Sequence, residues 1–415
     1  MTHRRHILAG LAALGLVLTG CGGGAKSTAA SPAGSPTPPS ATTPAPSTAT
    51  TPATTTPAAA DTTSARPPAG GPVPAGFDPV AFTAISPRQF WLLGTAACSH
   101  PVCTSIVRST DGGAHFVGIP APIAPVSTPN SGPGISTLLF ADALDGFAGG
   151  SGYPEPRALY ETRDGGAHWR RGRTDVIAFT VTTGHIYAVT GSCAKGICTN
   201  LGLARSSAVT DGWSSIPLPV LSAAGVPTMS ASGSSIDVSL TPTIGTASHQ
   251  ALLVSRDGGR TVTRTASPCY SGLAGRLEAS SSTVVWAVCP TGMEAGAWRS
   301  TDAGAHWSAI HATGSPGGLA NSAQLVPASD NVALLEPGGD TRLLRSTDGG
   351  RSFTQLAFPA SGTSVEWFGF TDPRTGSALL TNGGATVGPD HLPPATLWRS
   401  ADGGVHWRVL RIAAG

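Results

Sequence analysis

Lysine is almost missing from this chain of 415 residues: Lys26 and Lys195 stand alone among 25 lysines and arginines. Charged residues make up 12 % of the total and the formal net charge is +2. That balance removes the basic footprint nucleic-acid binding requires, so no nucleic-acid partner is expected. Long apolar runs are missing too. Ile7–Val17 spans eleven residues, short of the ~20 a permanent transmembrane helix needs. No segment shows the 3.6-residue apolar period of an amphipathic helix, which excludes a helical domain. Arginine and alanine stand where lysine and isoleucine are commoner, a bias of high-GC coding.

What the chain has in quantity is one short motif. It reads Ser109-Thr-Asp111-Gly-Gly113-Ala-His-Phe116, then recurs at 162–169, 210–213 (shortened), 255–262, 300–307, 346–353 and 400–407. The aspartates Asp111, Asp164, Asp211, Asp257, Asp302, Asp348 and Asp402 are 53, 47, 46, 45, 46 and 54 residues apart. A period of that length marks a repeated supersecondary unit. Within each unit, short β-rich runs are separated by turn residues, as in Val80–Ile85, Phe90–Leu93, Ser105–Arg108 and Phe116-Val117. The spacing predicts an all-β fold: a seven-bladed β-propeller of four-stranded antiparallel blades. The expected blades run over 79–122, 134–173, 174–219, 226–265, 270–311, 319–358 and 364–411.

The motif has a structural rationale. Its aspartate can accept hydrogen bonds from turn amides, its glycine supplies positive φ, and its terminal aromatic can pack on a neighbouring blade. Ser-x-Asp-x-Gly-x-(Thr/His)-(Trp/Phe) resembles the Asp-box, also called the BNR repeat, of sialidases, sortilin-type receptors, xyloglucanases and the photosystem II assembly factor type of propeller. The likeness covers all seven units and implies structural boxes in a sialidase-like superfamily, with no photosynthetic role. His115, His168, His306 and His406 hold the usual Thr position. Each belongs to a different blade's turn, so they cannot converge on a metal. No metal and no cofactor is expected.

The first residues set an address. Arg4-Arg5 precedes the apolar run, which ends in Leu18-Thr19-Gly20-Cys21. This resembles a bacterial lipobox, which implies cleavage before Cys21 and lipidation of its thiol. The expected organisation is a signal peptide over 1–20 and a lipidated, disordered Ala/Pro/Thr/Ser linker over 21–73. The propeller follows over 74–415. The linker has too few apolar side chains to offset its ordering entropy, and it suits O-glycosylation. Export through general secretion is favoured over the twin-arginine route. The expected location is the extracytoplasmic face of the bacterial cell membrane, lipid-anchored.

Six further cysteines fit an oxidising compartment. Cys98 with Cys103 and Cys193 with Cys198 share one spacing, leaving Cys269 with Cys289 as the third pair. The alternative for the short pairs is zinc. Arg108, Arg299, Arg345 and Arg399 recur just before the motif serine, which predicts a repeated scaffold contact such as an inter-blade ion pair.

Enzyme readings find little support. Sialidase chemistry implies three clustered arginines and a tyrosine nucleophile, and this domain has only Tyr153, Tyr160, Tyr187 and Tyr270. Other glycosidases need two facing carboxylates, and no acidic residue outside the repeats sits in a catalytic motif. No catalytic residue is assigned. Four-stranded blades place the Asp-box turns on one face, and the second–third loops and inter-blade connections on the other. Function gathers on variable loops over a rigid scaffold. The candidate binding residues are Tyr153, Glu155, Arg157, Lys195, Asp390 and His391, on the loops over 98–103, 151–157, 193–198 and 381–395. The expected function is a non-catalytic, membrane-anchored binding or scaffold propeller, monomeric, engaging an envelope protein through this face. The alternatives are a glycan-binding protein and a sialidase- or xyloglucanase-like hydrolase acting on a polysaccharide or cell-surface glycan.

Overall fold

A computed structural model describes residues 67–98, 103–127, 134–150, 157–210, 212–220, 222–242, 249–270, 275–311, 318–338, 342–357, 363–382 and 395–412. Signal-peptide and lipidation positions, Asp211, Tyr153, Glu155, Asp390 and His391 lie outside them. The described architecture is all-β and antiparallel.

Among the described residues the strands form seven four-strand meanders, with the short strand Leu319–Ala320 pairing separately on Glu294–Ala295 of the fifth. Meander one runs from Asp78–Ala84 to Val117–Ile119, and meander two from Thr137–Phe140 to Arg170–Arg171. Meander three runs from Val176–Thr182 to Ser214–Pro217, and meander four from Ser222–Ser232 to Thr263–Tyr270. Meander five spans Arg276–Ala279 to Ser308–Ile310, six spans Gln324–Pro327 to Thr354–Ala357, and seven spans Thr363–Phe370 to Arg408–Leu410. The fourth is longer at both ends than the 226–265 read from sequence. Its first strand begins early because Ile197–Thr199 of meander three pair with Ser222–Ala224, joining the two meanders into one sheet.

The first strand of each meander touches the first strand of the next, and that of meander seven touches that of meander one. Burial follows the same cycle. Among the described residues the hydrophobic core divides into seven clusters, each lying between two consecutive meanders. Trp91 of meander one stacks on Phe140 of meander two at 3.9 Å. Phe90 and Leu92 of meander one pack with Leu397 and Leu410 of meander seven. Second strands such as Phe90-Trp-Leu-Leu are buried on both faces, which is why they read as unbroken apolar runs rather than alternating ones.

The repeated turns join third to fourth strands. In the first, Ser109 Oγ donates to Asp111 Oδ1 at 3.0 Å, and the Gly113 amide donates to Ser109 Oγ at 2.9 Å. The His115 amide donates to Asp111 Oδ1 at 3.0 Å, while its ring Nδ1 meets Oδ2 at 2.6 Å. His168, His306 and His406 do the same with Asp164, Asp302 and Asp402. Thr261 and Ser352 use hydroxyls instead, on Asp257 and Asp348. Each histidine thus substitutes for a hydroxyl within its own turn. The bonds from the His306 amide and ring and from Ser300 hold the Asp302 carboxyl down to about 2.

The recurring arginines do link neighbouring meanders, but not by ion pairs. Arg299 donates to the Asp330 carbonyl at 2.8 Å while lying 5.0 Å over the Trp286 ring. Arg345 donates to the Gly403 carbonyl at 2.9 Å, and Arg399 to the Pro87 carbonyl. At Arg299 the facing turn also carries the Asp330 carboxylate, but Ser280 Oγ donates to that carboxylate, and the guanidinium takes the carbonyl. Arg108 breaks the series by donating to the Pro68 carbonyl. Residues 67–73 lie against meanders one and two: Gly71 bridges Gly118, Val73 is buried, and Pro67 abuts Gly165 of the second repeated turn.

All three cysteine pairs are disulfides, Cys98–Cys103, Cys193–Cys198 and Cys269–Cys289. The bonded thiols leave the C-x4-C pairs nothing with which to hold zinc. Cys269–Cys289 joins the last strand of meander four to the second strand of meander five.

Candidate functional site

Strand direction sorts the surface into two faces. Third strands end at the repeated turns, so those turns share the turn face. The second–third loops, and the connections to the next meander, share the loop face. Two cavities open on the loop face. One, of about 310 Å³, is walled by the first strands of meanders two to five, with Ile177, Phe179, Met229, Arg276 and Glu278 among its lining residues. The other, of about 270 Å³, lies at the edge of meander two and includes Ile135, Arg157, Tyr160 and Arg171.

The cavities share Gly150. A Cβ there would fall 1.9 Å from the Gly134 carbonyl oxygen, so any larger residue would push apart the backbone between them. Glycine is required by close approach here rather than by φ.

Glu278 is reached by solvent inside the first cavity, yet protein surrounds it. Desolvation pushes its carboxyl up to about 7, against the opposing charge of Arg276. Among the described residues lining the two cavities it is the only carboxylate.

Large apolar side chains are exposed unevenly. Ile123 is fully exposed and Met293 is 88 % exposed, with Tyr270 and Ile197 about half exposed. All four lie on the loop face: Ile123 in the connection between meanders one and two, Ile197 and Met293 at second–third loops, and Tyr270 at the end of a fourth strand. Tyr270 stacks on His249 at 4.7 Å. Only Val209, at a turn, and Val409, on an outer strand, are comparable elsewhere among the described residues.

Of the expected binding residues, Arg157 lines the smaller cavity. Lys195 sits exposed at the tip of the hairpin closed by Cys193–Cys198, with φ of 50°. The base of that hairpin pairs with meander four, so part of its role is to join two meanders. Sequence reasoning passed over Arg171, Phe179, Glu278, Ile123, Tyr270 and Met293. The apolar ones carried a signal: a large side chain in a connection flanked by proline, as in Pro122-Ile123-Ala124-Pro125, has no strand face to bury it.

No protein-family model and no curated protein matches the chain. Solved structures do. The structure described as YCF48 bound to D1 peptide matches with a TM-score of 0.51 and 16 % identity over 80 % of this chain and 95 % of that one. The β-propeller domain of the Trilobed protease from Pyrococcus furiosus, described as having an open velcro topology, matches with a TM-score of 0.50 and 10 % identity. It covers 82 % of this chain and 97 % of that one. The architecture is that of a β-propeller. An arabinanase from Penicillium chrysogenum, with a TM-score of 0.42 and 12 % identity over 80 % of this chain and 98 % of its own, carries no argument about activity. At these identities the likeness is one of fold. Meander seven of this propeller is contiguous in sequence, with all four strands drawn from 363–410.

Proposed function

We propose that the chain is a membrane-tethered, seven-bladed Asp-box propeller that binds a protein partner through its loop face and performs no chemistry of its own. The observation that carries this reading is that four of the six exposed large apolar side chains among the described residues, Ile123, Ile197, Tyr270 and Met293, lie on the face that also holds both cavities. Exposed apolar groups beside concave sites are costly to leave in water and mark interaction surfaces. Seven meanders, seven inter-meander clusters and a cyclic succession of first strands support the seven-bladed ring.

A protein partner is favoured over a glycan because the exposed groups are mainly aliphatic rather than the aromatic platforms and paired amides that sugars use. The peptide named with YCF48 supports the same choice. Against a polysaccharide hydrolase, which needs two carboxylates ~5–10 Å apart, Glu278 is the one carboxylate among the described residues lining the two cavities. The lipobox-like segment ending at Cys21 supports an extracytoplasmic, lipid-anchored location, which makes another envelope protein the partner of choice. The first described residues sit by the repeated turns: Pro67 touches Gly165, and the Pro68 carbonyl accepts from Arg108.

Affinity capture from crosslinked, detergent-solubilised envelopes tests the reading. The native lipoprotein is compared with Ile123→Glu/Met293→Glu and with a variant lacking residues 383–394. A protein recovered with the native chain and lost with the substitutions is expected. Recovery of no protein by any form, with binding in a polysaccharide screen, would overturn it in favour of a glycan ligand.

A further inference from the structure

Blade two concentrates arginine, and its acidic groups do not go round. Glu161 is buried and takes two guanidiniums, Arg163 at 3.1 Å and Arg170 at 2.8 Å. Asp145 faces Arg163 at 3.6 Å, and Asp175 takes Arg173 at 2.5 Å. Among the described residues, Arg157 and Arg171 are left with no acidic partner, and both line the 270 Å³ cavity. The backbone fixes both. The Arg157 amide donates to the Val176 carbonyl at 2.9 Å, and Arg171 pairs with Tyr160 across adjacent strands. Two like charges held at one concavity repel each other and concentrate anions there.

We propose that this cavity is a carboxylate-binding site, and that on the loop-face reading above it receives an acidic side chain of the partner protein. Guanidinium groups hold a planar carboxylate through paired, charge-assisted hydrogen bonds. The remaining wall suits an organic body more than an inorganic ion: Ala124, Pro125 and Ile135 are apolar, and the Tyr160 ring stands beside them. A phosphate dianion would set oxygens against that apolar side without donors to satisfy them. The carboxylate of a Glu or Asp side chain brings its own methylene stem to cover it. The neighbouring Ile123 is the exposed apolar group next to the opening, so an acidic residue flanked by an apolar one matches the surface.

Titration of the full chain with succinate, an acetylated Glu-Ala-Glu peptide, its Gln-Ala-Gln counterpart and inorganic phosphate tests the site. The Glu peptide and succinate are expected to bind, the Gln peptide and phosphate not. Arg157→Gln/Arg171→Gln is expected to weaken the Glu peptide about tenfold or more, with the melting temperature unchanged. Arg157→Lys/Arg171→Lys should restore part of the loss, because charge returns without the planar fork. Equal binding by the Gln double variant, or phosphate binding in place of carboxylates, would overturn the site. Loss of the Glu peptide with full retention of the envelope partner would overturn the acidic side chain as its occupant. Retention of the partner by Ile123→Glu/Met293→Glu, with the Glu peptide still bound, would instead defeat the loop-face reading and leave the carboxylate site standing.

Discussion

Gly113 of the first repeated turn packs against Leu410 of the last strand, where a Cβ on the glycine would lie 2.5 Å from Leu410 Cδ1. The same contact recurs around the molecule. Gly166 faces Ile119, Gly259 faces Ile216 and Gly350 faces Ile310, each turn glycine against an aliphatic of the preceding fourth strand. The Gly113–Leu410 pair is thus one more unit of a repeated contact, laid between the two ends of the domain. Leu410→Ala is expected to cost about 2–4 kcal/mol, the range for a buried leucine. Amide hydrogen exchange should show protection lost in meanders one and seven together. Loss confined to meander seven would argue against an interlocked ring.

Arg399 makes the companion link, donating to the Pro87 carbonyl and lying 4.8 Å over the Phe90 ring. Arg399→Leu removes this bond and the contact with the Phe90 ring and should destabilise by about 1–2 kcal/mol in chemical denaturation. Arg399→Lys should recover only part of that, since the planar stacking is lost.

Acid should weaken the repeated turns in a definable window. Asp302 is held down to about 2 in the folded chain, below the ordinary carboxylate value near 4. Between those values the unfolded state binds more protons, so stability is lost as pH falls through the folded value. Asp302→Asn should flatten the dependence of the denaturation midpoint on pH between about 4 and 2, and leave the neutral region less affected in slope. An unchanged acid limb would mean that the turn bonds do not hold this carboxylate in its ionised form.

The disulfides should divide by role. Cys269–Cys289 lies in the core between meanders four and five, and its replacement by serines should cost about 3 kcal/mol. Cys98–Cys103 staples a second–third loop of meander one. Cys98→Ser/Cys103→Ser should weaken partner binding more than it lowers the melting temperature, because a staple on a loop cuts the ordering cost of binding. Unchanged partner recovery beside a large stability loss would reject that division.

Much of this scaffold was legible in the chain, for a physical reason. A turn built on an aspartate and a positive-φ glycine writes itself into sequence at fixed offsets, and its repetition pointed to an all-β, antiparallel propeller. The early start of meander four was not legible, because it depends on Ile197–Thr199 pairing with Ser222–Ala224, a contact with no local signature. The acceptor of Arg299 was missed for a similar reason, since a carbonyl leaves no mark in a residue string. The larger loop-face cavity draws on four meanders at once, and the smaller one on meander two and the connection that precedes it. Arg157 was picked out from its loop, but Arg171 and Glu278 read as ordinary strand residues until the fold set them beside a cavity.

A photo-crosslinking residue placed at Met293, with Val209 on the turn face as control, tests the central claim most directly in the full chain expressed in its own cells. Crosslinking to one protein from position 293 and not from position 209 is the result this account predicts. Equal crosslinking from both positions, or crosslinking from position 209 alone, would contradict it.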